Sequence, residues 1–145
     1  VPTTVHPNYR KVAVSTAGNQ GLRFDEVPYE RTSGRIDAAA LKKYEGQDLT
    51  AIVIQQPNFF GALEDVDALT DWAHSQGLFV IAVVNPTSLA ILKAPGQWGA
   101  KGADIVVGDG QPLGVPLSSG GPYFGFMTTK LDYVRAMPGR IVGRT

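Results

Sequence analysis

Glu64-Asp-Val-Asp-Ala-Leu-Thr-Asp-Trp-Ala-His-Ser-Gln76-Gly-Leu-Phe-Val-Ile-Ala-Val-Val84 changes its periodicity in mid-course. From Glu64 to Gln76, Val66, Leu69 and Ala73 recur at helical spacing. Gly77 follows where a helix turns left-handed to stop. Phe79 to Val84 is then unbroken apolar sequence, too short to span a bilayer and of the right length for a buried strand. A second such strand, Thr50-Ala-Ile-Val-Ile-Gln55, precedes the helix. Strand, helix, strand is the unit from which parallel sheets are built, because a crossover is needed to bring the second strand in beside the first.

Outward from this unit the alternation continues. His6 to Thr16 predicts a short helix, with Pro7 tolerated in its first turn, and Leu22 to Val27 a strand. Asp37 is placed to cap a helix from Ala38 to Tyr44, which Gly46 ends. Ser88 to Leu92 predicts a helical turn, capped by Thr87 or Ser88. Ile105 to Val107 and Tyr123 to Thr128 predict two more strands, and Asp132 to Met137 a helix fragment stopped by Pro138-Gly139. The fold class is α/β: a three-layer, mostly parallel sheet with flanking helices. Ligands of such sheets bind at the carboxyl ends of the strands, which points to the loops after Gln55, Val84 and Val107.

Composition narrows the function. The 145 residues carry 13 basic and 13 acidic side chains without a basic cluster, so neither nucleic acid nor a membrane surface is an expected partner. With no cysteine there is no disulfide or thiolate metal site. The two histidines, His6 and His74, have no partner at ligand spacing, and no metal is expected. Val1-Pro-Thr-Thr has no charged segment followed by an apolar one, so no signal peptide is read there. Both ends read as cuts within a longer protein, making residues 1–145 an internal fragment of one domain.

The candidate chemistry lies in loops. Gly108-Asp-Gly-Gln-Pro-Leu-Gly114 follows a strand, but its glycine spacing is one residue too long for a dinucleotide fingerprint, and Pro112 and Pro116 oppose a helix beginning there. Ser118-Ser-Gly-Gly-Pro-Tyr-Phe-Gly125 offers hydroxyls and close backbone approach, although a tight loop entering the strand at Tyr123 is the plainer reading. Gln55-Gln-Pro-Asn-Phe-Phe-Gly61 and Asn85-Pro-Thr-Ser88 place amides at strand ends, where they orient ligands or simply form turns. Glu64, Asp65 and Asp67 read as favourable charge at a helix N-terminus.

Taken in order, several blocks resemble the P-protein of the glycine cleavage system, in its first-subunit or N-terminal-half form. They are Val5-His-Pro-Asn-Tyr-Arg10, Gln55 to Asp65, Asn85-Pro-Thr-Ser-Leu89, Gly102 to Phe126 and Met137-Pro-Gly-Arg-Ile-Val-Gly143. The resemblance spans essentially the whole chain, and the blocks 102–126 and 137–143 are its most specific parts. It implies part of the large domain of a fold-type I, aspartate-aminotransferase-like enzyme that uses pyridoxal 5'-phosphate. It implies glycine decarboxylation, with the aminomethyl group passed to the lipoyl-lysine of H-protein. In split bacterial or archaeal enzymes two homologous subunits assemble, in a cytoplasmic heterotetramer; a single-chain eukaryotic relative would be mitochondrial.

Two departures assign this chain to one side of that arrangement. The cofactor's lysine belongs to a His-Lys pair in the second subunit, and here the matching place holds Gly110-Gln111 or Gln111-Pro112. Lysines occur at 11, 42, 43, 93, 101 and 130, with none from Gly102 to Thr129; without an amine no internal Schiff base forms. At the end of the strand Phe79 to Val84, where an acid would hold the pyridinium, stands Asn85, whose neutral amide cannot do so. The expectation is a non-lysine subunit with pyridoxal phosphate held by its partner, no confident catalytic residue, and Asn58, Asn85, Gln111, Ser118 and Ser119 as candidates for a pseudo-site or a subunit contact. The competing reading is a competent aminotransferase-like enzyme whose lysine lies outside residues 1–145.

Overall fold

The computed structural model describes residues 1–115, 120–121 and 123–139. Four strands, β1 (Ala51–Gln56), β2 (Phe79–Val84), β3 (Ile105–Asp109) and β4 (Gly125–Thr129), lie side by side in chain order. The first three are parallel, and β4 returns antiparallel to β3 with Ile105 opposite Thr129. Three helices accompany them: α1 (Pro7–Ala17), α2 (Ala38–Leu41), which tightens into a 3₁₀ turn over Lys42–Tyr44, and α3 (Val66–Ser75). The expected mixed, mostly parallel sheet with flanking helices is therefore present.

The β1–α3–β2 unit is built as its periodicity demands. Ile52 and Ile54 of β1 and Val80, Ala82 and Val84 of β2 point to one buried face. Val66, Leu69, Thr70 and Ala73 of α3 are buried against it. Each large aliphatic side chain buried this way contributes about 2 kcal/mol relative to exposure. The helix starts at Val66 rather than Glu64. Asp65 takes the N-cap, accepting from the Ala68 N–H, while Glu64 is drawn into the preceding loop. Gly77 has φ 74°, the left-handed conformation that ends the helix and that a Cβ would strain.

The crossover from β2 to β3 is not an α-helix. Two 3₁₀ turns, Pro86–Ala90 and Pro95–Gln97, replace it, each opened by a proline in its first turn, where the missing N–H costs nothing. Trp98 is fully buried and anchors this segment, its indole N–H donating to the Lys93 carbonyl at 3.1 Å. Two carboxylates one turn apart on α3 clamp it from outside: Asp67 receives Lys93 Nζ at 2.7 Å and the Gly99 N–H at 2.7 Å, and Asp71 receives the Ala100 N–H at 2.7 Å. The Lys93 hydrogen bond, with that of Gly99, holds the Asp67 carboxyl below its ordinary range.

Four local expectations are corrected. Leu22 to Val27 forms no strand; it makes a single parallel bridge, Val27 to Pro2. Leu22 and Arg23 are exposed, and Pro2 and Pro28 limit the pairing on either side. The turn after β2 is capped by Asn85, not Thr87 or Ser88, because its side-chain oxygen accepts from the Thr87 N–H at 3.0 Å. The last strand starts at Gly125, leaving Tyr123 and Phe124 off the ladder, and Leu131–Ala136 is a 3₁₀ segment. No helix among the described residues is long and apolar enough to cross a membrane.

Candidate functional site

The parallel direction of β1, β2 and β3 sends their carboxyl ends to one edge of the sheet, and there a cleft of ≈ 640 Å³ opens. It is lined by Val83, Val84, Val107 and Gly108 of the strands, by Tyr9 of α1 and by Tyr123, Phe124 and Gly125. Its polar groups are Gln55, Asn85 and Asp109, one from each parallel strand end, besides the two tyrosine hydroxyls. Glycine is required twice. A methyl on Gly108 would run into the Val84 carbonyl and the Phe126 ring, and one on Gly110 would occupy the Phe124 ring.

The polar groups are partly committed. The Gln55 side-chain oxygen accepts the His6 N–H at 2.8 Å, fixing the start of α1 and with it Tyr9. His6 also stacks near Tyr9 and Phe59, with ring centroids at 4.9 Å in both cases. Asn85 spends its oxygen on Thr87, N–H and hydroxyl alike. Asp109 accepts the Gln111 N–H through Oδ1 at 3.1 Å. Among the described residues this leaves the two side-chain NH₂ groups of Gln55 and Asn85 and the second oxygen of Asp109 facing no protein partner. Asp109 is the one charged side chain among the described lining residues.

The structure separates the expected site residues. Asn85 lines the cleft. Gln111 stands at its margin in a 3₁₀ turn, Gln111–Leu113, and donates to the Val115 carbonyl. Ser118 and Ser119 lie outside the described residues. Asn58 belongs to the fold instead. It is buried, its amide NH₂ donates to the Gly34 carbonyl at 2.7 Å and to Glu64 at 2.8 Å, and its oxygen accepts from Phe60 and Ala62 N–H groups, both at 3.0 Å. With each atom engaged, it has nothing to offer a ligand or a subunit. Glu64, read from sequence as helix-terminus charge, joins that same knot through the Ile36 N–H at 2.9 Å.

A second polar cluster escaped the sequence reading. Asp104, 4% exposed, accepts from the Val80 N–H at 2.8 Å and from Lys130 Nζ at 2.6 Å, and contacts His74 Nε2 at 2.9 Å. Burial alone would raise its carboxyl, yet Lys130, the Val80 N–H and His74 outweigh burial and hold it below the ordinary carboxylate range. Asp104 precedes β3 and Lys130 follows β4, so antiparallel pairing of Ile105 with Thr129 sets the two charges opposite each other. That signal becomes legible once the pairing is known. The cluster sits at the end of the sheet away from the cleft and pins β2, β3, β4 and α3 together.

Pyridoxal phosphate finds no fit among the described lining residues. None is a lysine that could bind it covalently, none is a cation that could meet its phosphate, and the residue at the end of β2 is an amide. The cleft is largely apolar and aromatic, with a few polar side chains and, among its lining residues, a single acidic one.

A mostly parallel α/β sheet with a cleft across its parallel strand ends is the architecture in which α/β domains bind ligands. The family model for the glycine cleavage system P-protein matches residues 1–145, and the chain belongs to that family. It is 63% identical to the probable glycine dehydrogenase (decarboxylating) subunit 1 of Thioalkalivibrio sulfidiphilus and 62% identical to that of Alcanivorax borkumensis, over 100% of this chain and 32% of each relative. The chain thus spans about a third of the length of these curated relatives. Among solved structures it resembles the glycine decarboxylase (P-protein) of the glycine cleavage system in inhibitor-bound form. The TM-score is 0.86 at 43% identity, covering 99% of this chain and 31% of that one. A sphingosine-1-phosphate lyase from Burkholderia pseudomallei shares the fold at TM-score 0.65 and 16% identity, over 92% of this chain and 31% of that one.

Proposed function

We propose that the chain is part of a glycine decarboxylase of the subunit 1 type. In this reading it acts with a homologous, lysine-bearing subunit, as a heterotetramer, in decarboxylating glycine and passing the aminomethyl group to lipoylated H-protein. Pyridoxal phosphate is held by the partner, and this chain helps complete the assembly without binding the cofactor covalently. A split enzyme of this kind works in the cytoplasm. The observation that supports the reading is the cleft itself: it stands where α/β domains bind ligands, yet its described lining has neither lysine nor arginine, and the residue after β2 is the neutral Asn85.

Borohydride reduction of the full-length complex with pyridoxal phosphate, followed by peptide mass spectrometry, tests it. The phosphopyridoxyl adduct is expected on a lysine of the partner and on none in this chain. An adduct on a lysine of the full-length version of this chain would instead establish a self-sufficient aminotransferase-like enzyme.

The loop 108–122 is assigned to the support of that assembly. Replacing Gln111, Ser118 and Ser119 together by alanine in the complex is expected to lower glycine–bicarbonate exchange or weaken subunit association. Unchanged exchange and assembly would remove this loop from the proposal.

A further inference from the structure

We propose that the cleft over β1, β2 and β3 is a receptor for a cationic side chain, a lysine or arginine presented by the partner subunit, with Asp109 as its counter-charge. The choice of partner rests on the assembly proposed above; the ligand chemistry rests on the cleft alone.

Charge comes first. Asp109 is the one acidic or basic side chain among the described lining residues, and among the described residues only one of its carboxylate oxygens, the acceptor of the Gln111 N–H, has a protein donor. A phosphate or carboxylate entering here would meet a like charge and no cation; an ammonium or guanidinium would meet a carboxylate. The walls agree with that sign. Tyr9, Tyr123 and Phe124 line the same cavity, and aromatic faces attract cations through their quadrupoles. The NH₂ groups of Gln55 and Asn85 are donors. They are unsuited to the cation itself but suited to a carbonyl oxygen of the chain that carries it. At ≈ 640 Å³ the cleft has room for a whole lysine or arginine side chain with part of its backbone.

Two measurements test the cleft and the partner separately. The first titrates the full-length chain with N-acetyl-lysine methylamide and with inorganic phosphate, followed by NMR shifts. Saturable binding of the lysine probe is expected, at least tenfold weaker in Asp109→Asn, with no response to phosphate. Asparagine keeps an oxygen to accept the Gln111 N–H, so Asp109→Asn preserves that turn, and a thermal melt verifies it. Asn85→Asp, which retains the oxygen that caps Thr87 and adds a second negative charge, is expected to tighten the probe. Absence of lysine-probe binding, equal binding by wild type and Asp109→Asn, or saturable phosphate binding would overturn the proposal. The second measures association of the full-length chain with its partner. Asp109→Lys is expected to weaken it at least tenfold, and unchanged association would overturn the partner assignment while leaving the cleft chemistry to the first test.

Discussion

At the scale of single residues, Asp104 shows how one carboxylate serves several elements. It joins the Val80 N–H, Lys130 and His74 at a buried point. Truncation to alanine leaves Lys130 without its anion and the Val80 N–H without its acceptor. The expected loss is roughly 3 kcal/mol, the lower end of the range for breaking a buried pair, because the Lys130 side chain keeps 31% exposure to water. Chemical denaturation of Asp104→Ala against wild type measures it. The pH dependence has a definite sign. The folded-state carboxyl of Asp104 lies below its ordinary value of 3.8, so in the window between the two the unfolded chain binds more protons and stability rises with pH. Its contribution is complete above the ordinary value and is lost as pH falls through the depressed one. Asp104→Asn is expected to flatten that acid limb of the stability profile, and a limb of undiminished slope would show that other carboxylates produce it.

Among the elements, β3 is the most demanding. Gly108 sits where the strand meets the Val84 carbonyl and the Phe126 ring, and an added methyl has nowhere to go without moving the β2 or β4 backbone. Gly108→Ala is expected to cost about 1–3 kcal/mol, as overpacking does, and to disturb the cleft it lines. Thermal melts together with the lysine-probe titration report both effects. α3 and β2 were readable beforehand because their burial is local in sequence: one helical period, one glycine stop, one apolar run. The expected strand Leu22 to Val27 failed for the converse reason. A strand needs a neighbour, and what flanks it is the short Pro2 segment, which pairs with it at one residue.

For the molecule as a whole, the described sheet ends at β1 on one side and β4 on the other, and α1 buries none of its side chains. Val12 and Val14 of α1 are 60% and 50% exposed. Without a buried face, α1 is held at its first turns by the His6–Gln55 bond and by Arg10 on Val5 and Glu26, its last turns have little beyond their own marginal propensity, and strand edges recruit other chains. Residues 1–145 expressed alone are therefore expected to be poorly soluble, with α1 amides exchanging near the unfolded rate while those of β2 stay protected. A monodisperse fragment that melts cooperatively, with α1 protected as well, would show that this segment is self-sufficient.

The amino-acid sequence by itself determined the α/β class, the β1–α3–β2 unit, the location of the polar loops at strand ends and the family likeness, because each depends on residues close together in the chain or on ordered motifs. Only the tertiary structure decided which polar residues share a space. It withdrew Asn58 into a loop where the Gly34 carbonyl, the Glu64 carboxylate and the Phe60 and Ala62 N–H groups consume its amide. It turned the Asn85 oxygen onto Thr87 and brought Asp109 into one cleft with Tyr9, Tyr123 and Phe124. It also joined Asp104 to Lys130 across an antiparallel pair. The physical reason is that a side chain's chemistry is set by whichever donors, acceptors and charges surround it after folding: for Asp104 and the cleft these come from positions tens of residues away, and for Asn58 and Asn85 mostly from loop neighbours whose conformation the fold fixes.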